Sequence, residues 1–244
     1  MTRLDQVLVE RTLCESREKA KRLILAGQVR VNGHPARKPS DTVKPKDEIT
    51  VDTPEKFVSR GGHKLEHALE HFQVTVTGLT AFDLGASTGG FTDCLLQHGV
   101  AKVFAVDVGQ GQLAWKLRTD PRVVVMEKTN ARHLKPENFP APADLAVIDC
   151  SFISLKKILP PAVPLLKPDG IIVALIKPQF EAGKAEADRG RGVITDPAIH
   201  ERVLAELKDF VSAQAGLCWL GVVESPLLGP AGNKEFLTLI EKKR

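Results

Sequence analysis

Several residues of this chain stand where charge meets an apolar run. Asp83 closes LTAFD, Asp107 follows KVFAV, Asp149 follows LAVI, and Lys177 follows GIIVALI. Short apolar runs of this kind are buried parallel strands, and in open parallel sheets ligands bind beyond the carboxyl ends of the strands. Carboxylates on that edge can accept ligand hydroxyls or hold a cation. Lysine is almost never deeply buried without a partner, and its ordinary role is an apolar stem with its ammonium in water. A lysine desolvated on the same edge as Asp149 can instead shed its proton and act as a base. Lys64 in SRGGHKL and Glu235 in GNKEF are unremarkable when taken singly.

The stretch AFDLGASTGGF, residues 81–91, is strand, glycine turn, helix: Gly85, Gly89 and Gly90 form the turn, and Phe91, Cys94 and Leu95 recur at helical spacing. That geometry brings backbone amides to a ligand at a helix N-terminus. Three ligands compete. Gly85 and Gly90 have the spacing of a P-loop, but Phe91 stands where the phosphate-binding lysine belongs. The order G-x-x-x-G-G is not the G-x-G-x-x-G of a dinucleotide site. S-adenosylmethionine has no phosphate, and needs room at the strand end with an acid on the next strand for its ribose hydroxyls. Asp107, 24 residues after Asp83, can be that acid. A tight turn with no ligand explains the same glycines.

These residues need a sheet to position them. Strands are expected near 80–84, 102–107, 123–126, 144–149, 170–176, 218–224 and 235–240, with helices between most of them, notably 155–166 and 197–214. Repeated βα units imply α/β architecture with a mostly parallel, doubly wound, seven-stranded sheet. The chain's 244 residues hold such a domain plus a small companion. The four cysteines are scattered without C-x-x-C, which fits a reducing cytoplasm and opposes a zinc site. His63 and His67 stand at i and i+4, but no third ligand or H-E-x-x-H pattern accompanies them, so no metal is expected. No stretch is long and apolar enough for a membrane span.

Charge is uneven. Residues 1–60 carry 13 Lys+Arg against 9 Asp+Glu, and the remainder carries 21 of each. The formal excess of +4 therefore lies in the first quarter, as expected for a polyanion partner or for a solvated basic surface. That quarter reads as two short helices, with Leu4, Val7 and Leu8 on one face of the first. Ser16 caps the second, Ala20, Leu23 and Ile24 face inward, and Gly27 ends it. Arg17, Lys21 and Arg22 are left toward water. Val29 and Val31 alternate into an Asn32-Gly33 hairpin turn, and Lys44–Asp47 turns into Ile49–Val51. A polar linker, DTPEKFVSRGG, follows, and two domains are expected, 1–58 and 59–244.

The segment SREKAKRLILAGQVRVNG, with D-x-x-L-V before it, resembles the S4 RNA-binding domain. The resemblance implies that Arg3, Arg11, Arg17, Lys21 and Arg22, with Arg60 beyond the linker, touch phosphates, contacts that position more than they specify. Lys64, Asp149, Lys177 and Glu235 resemble, in order and context, the K-D-K-E tetrad of FtsJ-like 2′-O-ribose methyltransferases. With SRGGHKL, DLGASTGGFTDCLL, VDVGQGQL, DCSFISL, LIKPQFE and GNKEFL, the whole chain is similar to the TlyA family, ribosomal RNA methyltransferases also known as hemolysins. That resemblance implies S-adenosylmethionine as cofactor and a cytidine 2′-hydroxyl in ribosomal RNA, free or within a subunit, as acceptor. Gly85, Ser87, Gly89, Gly90 and Phe91 would cradle the methionine end, Asp107 the ribose and Asn130 the adenine, with Asp83 and Asp149 beside them. Lys177 would be the base, Asp149 and Glu235 its orienters, and Lys64 a positive charge near the developing alkoxide. Phe180 and Arg189 could reach the target nucleotide. The polar segment EAGKAEADRGRGVITDP is either a closing loop or a plain insertion. A non-catalytic RNA-binding assembly factor and a membrane-active hemolysin are the rival readings. A cytoplasmic monomer without DNA or membrane partners is expected.

Overall fold

A computed structural model describes residues 2–52 and 55–243. Its contacts divide the chain into two units, 1–56 and 57–244. Thr53 and Pro54, in the middle of the expected linker, lie outside the described residues. The boundary falls two residues before the polar composition suggests. Phe57 is buried in the second unit's core, and the Val58 amide donates to Asp93 Oδ2 at 2.8 Å.

The first unit contains β1 (Thr2–Arg3), α1 (Leu4–Glu10), α2 (Arg17–Leu25), β2 (Val29–Val31), β3 (His34–Pro35), β4 (Thr42–Val43) and β5 (Ile49–Val51). Leu4, Val7 and Leu8 from α1 pack on Ala20, Ile24, Val29, Val43 and Ile49. Ser16 Oγ accepts from the Lys19 amide and starts α2, and Gly27, at φ +72°, stops it. Asn32 and Gly33 both have positive φ, the requirement of a two-residue hairpin turn between β2 and β3.

The second unit runs α3 (Gly61–His71), β6 (Thr80–Leu84), α4 (Gly90–Gln97), β7 (Lys102–Val106), α5 (Trp115–Arg118), β8 (Val123–Met126) and β9 (Ala143–Ile148). It continues with α6 (Leu159–Ala162), β10 (Leu166–Ile176), α7 (Pro178–Glu181), α8 (Lys184–Arg189), α9 (Pro197–Ser212), β11 (Leu217–Glu224) and β12 (Phe236–Lys242). Seven strands form one sheet in the order β11-β12-β10-β9-β6-β7-β8. β12 runs antiparallel to both its neighbours, and the rest are parallel. Alternation splits the core. Phe82, Leu84, Phe104, Val106, Ala146 and Ile148 face Val203, Leu207 and Val211 of α9. Ala81, Ala105, Leu145 and Val147 face Leu65 of α3 and Phe91 and Leu95 of α4.

The expected helix over 155–166 is not continuous. Two 3₁₀ turns, Leu155–Lys157 and Val163–Leu165, flank the single turn of α6. Pro160, Pro161 and Pro164 remove the amide donors a longer helix needs. β10 correspondingly begins at Leu166, four residues earlier than its apolar run indicates.

Candidate active site

The glycine turn sets the geometry. Gly85 has φ +92°, and a Cβ there would sit 2.8 Å from the Asp149 carbonyl oxygen, so only glycine lets the ends of β6 and β9 meet. A Cβ on Gly90 would meet Ser59 Oγ at 2.3 Å and the Gly62 amide nitrogen at 2.9 Å. That close approach brings the start of α3, and with it Lys64, against the turn.

Sheet register delivers the rest. Ile176 pairs with Phe236 across the β10–β12 ladder, so Lys177 and Glu235 follow side by side where it ends. Ala174 pairs with Ile148 on the other side, which carries Asp149 and Ser151 to the same level. Lys177 Nζ lies 2.5 Å from Asp149 Oδ1 and donates to Ser151 Oγ at 2.8 Å. Asp149 Oδ1 has no well-directed hydrogen bond, so that contact is chiefly ionic. Lys64 Nζ donates to Glu235 Oε2. Lys177 is 9% exposed and Glu235 1%, so these are interior ion pairs. Interior pairs contribute little net stability after desolvation, and removing one partner leaves an uncompensated charge.

Both pairs line one cleft of about 270 Å³, with Ser59, Arg60, Gly61, Gly85, Ser87, Gly90, Phe91 and Ser151 around them. A second cleft of about 460 Å³ adjoins it and shares Gly85, Ser87, Asp149 and Ser151. Asp107 and Asn130 line this second space. Asp107 Oδ2 accepts from the Ser87 amide at 2.8 Å and Oδ1 from the Gly109 amide at 2.7 Å. The carboxylate is thereby fixed, and each oxygen keeps a lone pair for a ligand. Asn130 Oδ1 caps the short turn Ala131–His133 through the Arg132 amide, at 3.0 Å. Cys150 also lines the cleft, but burial and then the nearby Asp149 push its thiol up to about 12, which removes it as a nucleophile.

Asp83 and Gly89 line neither cleft. Asp83 is fully buried, with Oδ2 accepting from the Thr92 amide at 2.9 Å and from Thr92 Oγ1 at 2.6 Å. Burial first, then the charge of Asp149, raise its carboxyl to about 7. Gly89, at φ +96°, packs against Leu113 and Leu117 and serves the turn.

Sequence reasoning passed over three groups on these walls. Ser151 is the hydrogen-bond partner of Lys177, and its only signal is its place two residues after Asp149. Ser59 and Gly61 frame the first cleft. Phe152 is 89% exposed at φ +63°, 5.0 Å from the Phe180 ring, and with Arg132, Lys157 and Phe180 borders a hollow beside the second cleft. Arg189 lies on α8 and lines none of these spaces. The segment after Lys177 is not an open loop. Asn233 is buried and holds the Ile194 amide through Oδ1 and the Gly192 carbonyl through Nδ2, each at 2.8 Å. Among the described residues no group of three or more His, Cys, Asp or Glu could hold a metal ion.

The basic residues of the first unit differ in availability. Arg3 donates twice to buried Asp5, at 3.0 Å each, and Arg17 donates to it at 3.1 Å. Arg11 donates to the carbonyls of Asp47 and Pro45 at 2.7 Å and fastens the β4–β5 turn. Lys21 pairs with exposed Glu18 at 2.9 Å. Arg22 is exposed, and among the described residues its charge acts on Glu18, one turn earlier in α2. Arg60 is exposed at the rim of the first cleft.

Comparison with known proteins places these features in a family. The model of FtsJ-like methyltransferases matches residues 57–242, and that of the S4 domain matches residues 2–49. The 16S/23S rRNA (cytidine-2′-O)-methyltransferase TlyA of Mycobacterium tuberculosis is 50% identical over 237 residues, 96% of this chain and 87% of that protein. Hemolysin A of Brachyspira hyodysenteriae is 42% identical over 96% of this chain and 98% of its own. A solved chain from Streptococcus thermophilus, provisionally titled a hemolysin, superposes with a TM-score of 0.74 at 44% identity, covering 99% of this chain and 88% of that one.

Proposed function

The chain belongs to the FtsJ-like methyltransferases, in the branch that carries an N-terminal S4 domain, and on that premise we propose that it methylates a cytidine 2′-hydroxyl of ribosomal RNA, with S-adenosylmethionine as donor and Lys177 as base. One observation carries the reading: two interior lysine–carboxylate pairs line one cleft, and its floor is shared with a second cleft edged by Asp107.

The residues fit the cofactor. Gly85 lines both clefts, the fixed Asp107 carboxylate keeps acceptor capacity for a ribose diol, and acidic groups suit a cationic ligand. Bound there, the cofactor supplies a methyl group already activated on a sulfonium. The protein's task is the acceptor, since a protonated ribose hydroxyl is a weak nucleophile. Ser151 and Asp149 hold the Lys177 amine at the boundary of the two clefts. Once its ammonium proton has passed to solvent, the Lys177 nitrogen takes the hydroxyl proton as the oxygen attacks. Glu235 holds Lys64, whose charge steadies the developing alkoxide and the adjoining phosphate. A base so placed contributes roughly 10²–10⁴-fold, and alignment supplies much of the remainder. The basic first unit adds phosphate contacts that bring RNA to the cleft.

The test is methyl transfer to unmodified ribosomal subunits, with digested RNA read by nucleoside mass spectrometry. New 2′-O-methylcytidine from the wild type and none from Lys177→Ala supports the reading. Cofactor binding without product on any ribosomal particle overturns it in favour of an assembly factor.

A further inference from the structure

Asp83 has no task in that mechanism, yet it is the most deeply buried acid near the site. Strand alternation puts it on the same face of the sheet as Asp107 and Asp149. Its Cα pairs with Ala105 and Val147, each two residues before one of those acids. One carboxylate oxygen is satisfied twice by Thr92, from the amide and the hydroxyl. The other, Oδ1, is buried with no partner. An orphaned buried carboxylate oxygen is costly unless something offsets it. The groups that face Asp83 are Thr92 from α4, Asp149 and the Cys150 thiol beyond β9, and Asp107 beyond β7, and the Lys177 ammonium is spent on Asp149. The next acid on α4, Asp93, has its own partners in Lys116 and the Val58 amide. Three carboxylates thus converge where one lysine answers them, and Gly85, two residues after Asp83, lines both clefts.

We propose that Asp83 makes the cofactor site selective for charge: it is ionised when the site holds the sulfonium of S-adenosylmethionine and protonated when the site holds the neutral sulfur of S-adenosylhomocysteine. The proposal rests on the cofactor reading above. In the transfer itself the methyl carbon leaves sulfur, whose bonding electron pair stays behind, and bonds to the hydroxyl oxygen, whose proton goes to the base. The site thereby loses one positive charge. Asp83 then takes a proton from solvent, and the acidic floor no longer favours the ligand it holds. Turnover would thus weaken retention of its own product. A carboxyl raised to about 7 by burial is poised for this exchange near neutral pH.

Calorimetry with the full-length protein and the two purified ligands tests this. The ligands share every titrating group except the sulfonium charge, so the ratio of their dissociation constants isolates it. From pH 6 to pH 8, preference for S-adenosylmethionine should rise about tenfold, the response to one pKa unit of coupling. Binding of S-adenosylmethionine at pH 7 should release about half a proton, seen by comparing buffers of different ionisation enthalpy, and binding of S-adenosylhomocysteine should not. Asp83→Asn should flatten the pH dependence. Thr92→Val removes a hydrogen bond to the charged form and should move its midpoint upward, and it serves if the Asn variant does not fold. A wild-type ratio equal at pH 6 and pH 8, or an unchanged slope in folded Asp83→Asn, overturns the proposal. Failure of both ligands to bind at any pH overturns the cofactor reading itself.

Discussion

Each unit of this protein buries an acid and gives it basic partners, but the two arrangements are inverted. In the first unit Asp5 is buried, while Arg3 and Arg17 are 43% and 51% exposed in their side chains. The guanidiniums hold the Asp5 carboxyl down at about 2, and their outer faces stay in water. In the second unit the cations are themselves interior, as Lys64 and Lys177 lie behind the surface they serve. Arginine remains charged in either setting, whereas a lysine can give up its proton. The first arrangement is a fastening and the second is the one proposed above to react, so the two differ in which partner is hidden.

The largest effect expected from this contrast is on turnover. Lys177→Ala should cost roughly 10²–10⁴-fold in kcat, with cofactor affinity within about twofold of wild type. A stability loss that matched the loss in rate would make the pair a fastening after all. Next in size is the response of stability to pH. Burial raises Asp83 above its unfolded value of about 4, so the folded chain keeps a proton that the unfolded chain gives up. Its contribution is complete below pH 4 and drains away as pH climbs to about 7, on the order of 3–4 kcal/mol in all. Denaturant midpoints between pH 5 and 8 should fall more steeply for wild type than for Asp83→Asn. Asp5 has the opposite sign: its contribution is present above pH 4 and disappears as pH falls toward 2. Asp5→Ala should then cost about 1–3 kcal/mol at neutral pH, by urea unfolding, with the isolated chemistry intact in molecules that remain folded. Smallest is the effect of an exposed surface cation. Arg22→Glu should weaken RNA binding and reduce the salt slope by about one, without changing the unfolding midpoint. Arg17→Glu would confound the two roles, because Arg17 also holds Asp5.

The sheet was legible because it depends on local pattern, apolar runs with a charge at one end, whereas Lys64 and Glu235 stood out only through the family resemblance. Boundaries moved where proline or packing intervened, as at Pro160–Pro164 and Phe57. Asp83 lines neither cleft for a different reason. Alternation marks its face of the sheet, but not the Thr92 side chain that turns its carboxylate inward. The basic residues of the first unit looked alike in sequence, yet only tertiary partners separate Arg11, which fastens a turn, from Arg22, which is exposed. Ser151 left no trace beyond adjacency, because its role arises from the register of β9 on β10.

β12 is the final strand in chain order, yet it lies inside the sheet, between β10 and β11. Lys64 and Glu235 are 171 residues apart in sequence and meet only once that strand is inserted. Contacts of such separation form late, after loop closure over most of the domain. A nascent chain can therefore fold α3 and the first parallel strands before the cleft proposed above as catalytic is assembled. Synthesis itself imposes an order, with the proposed centre completed only after the β11–β12 hairpin has been made.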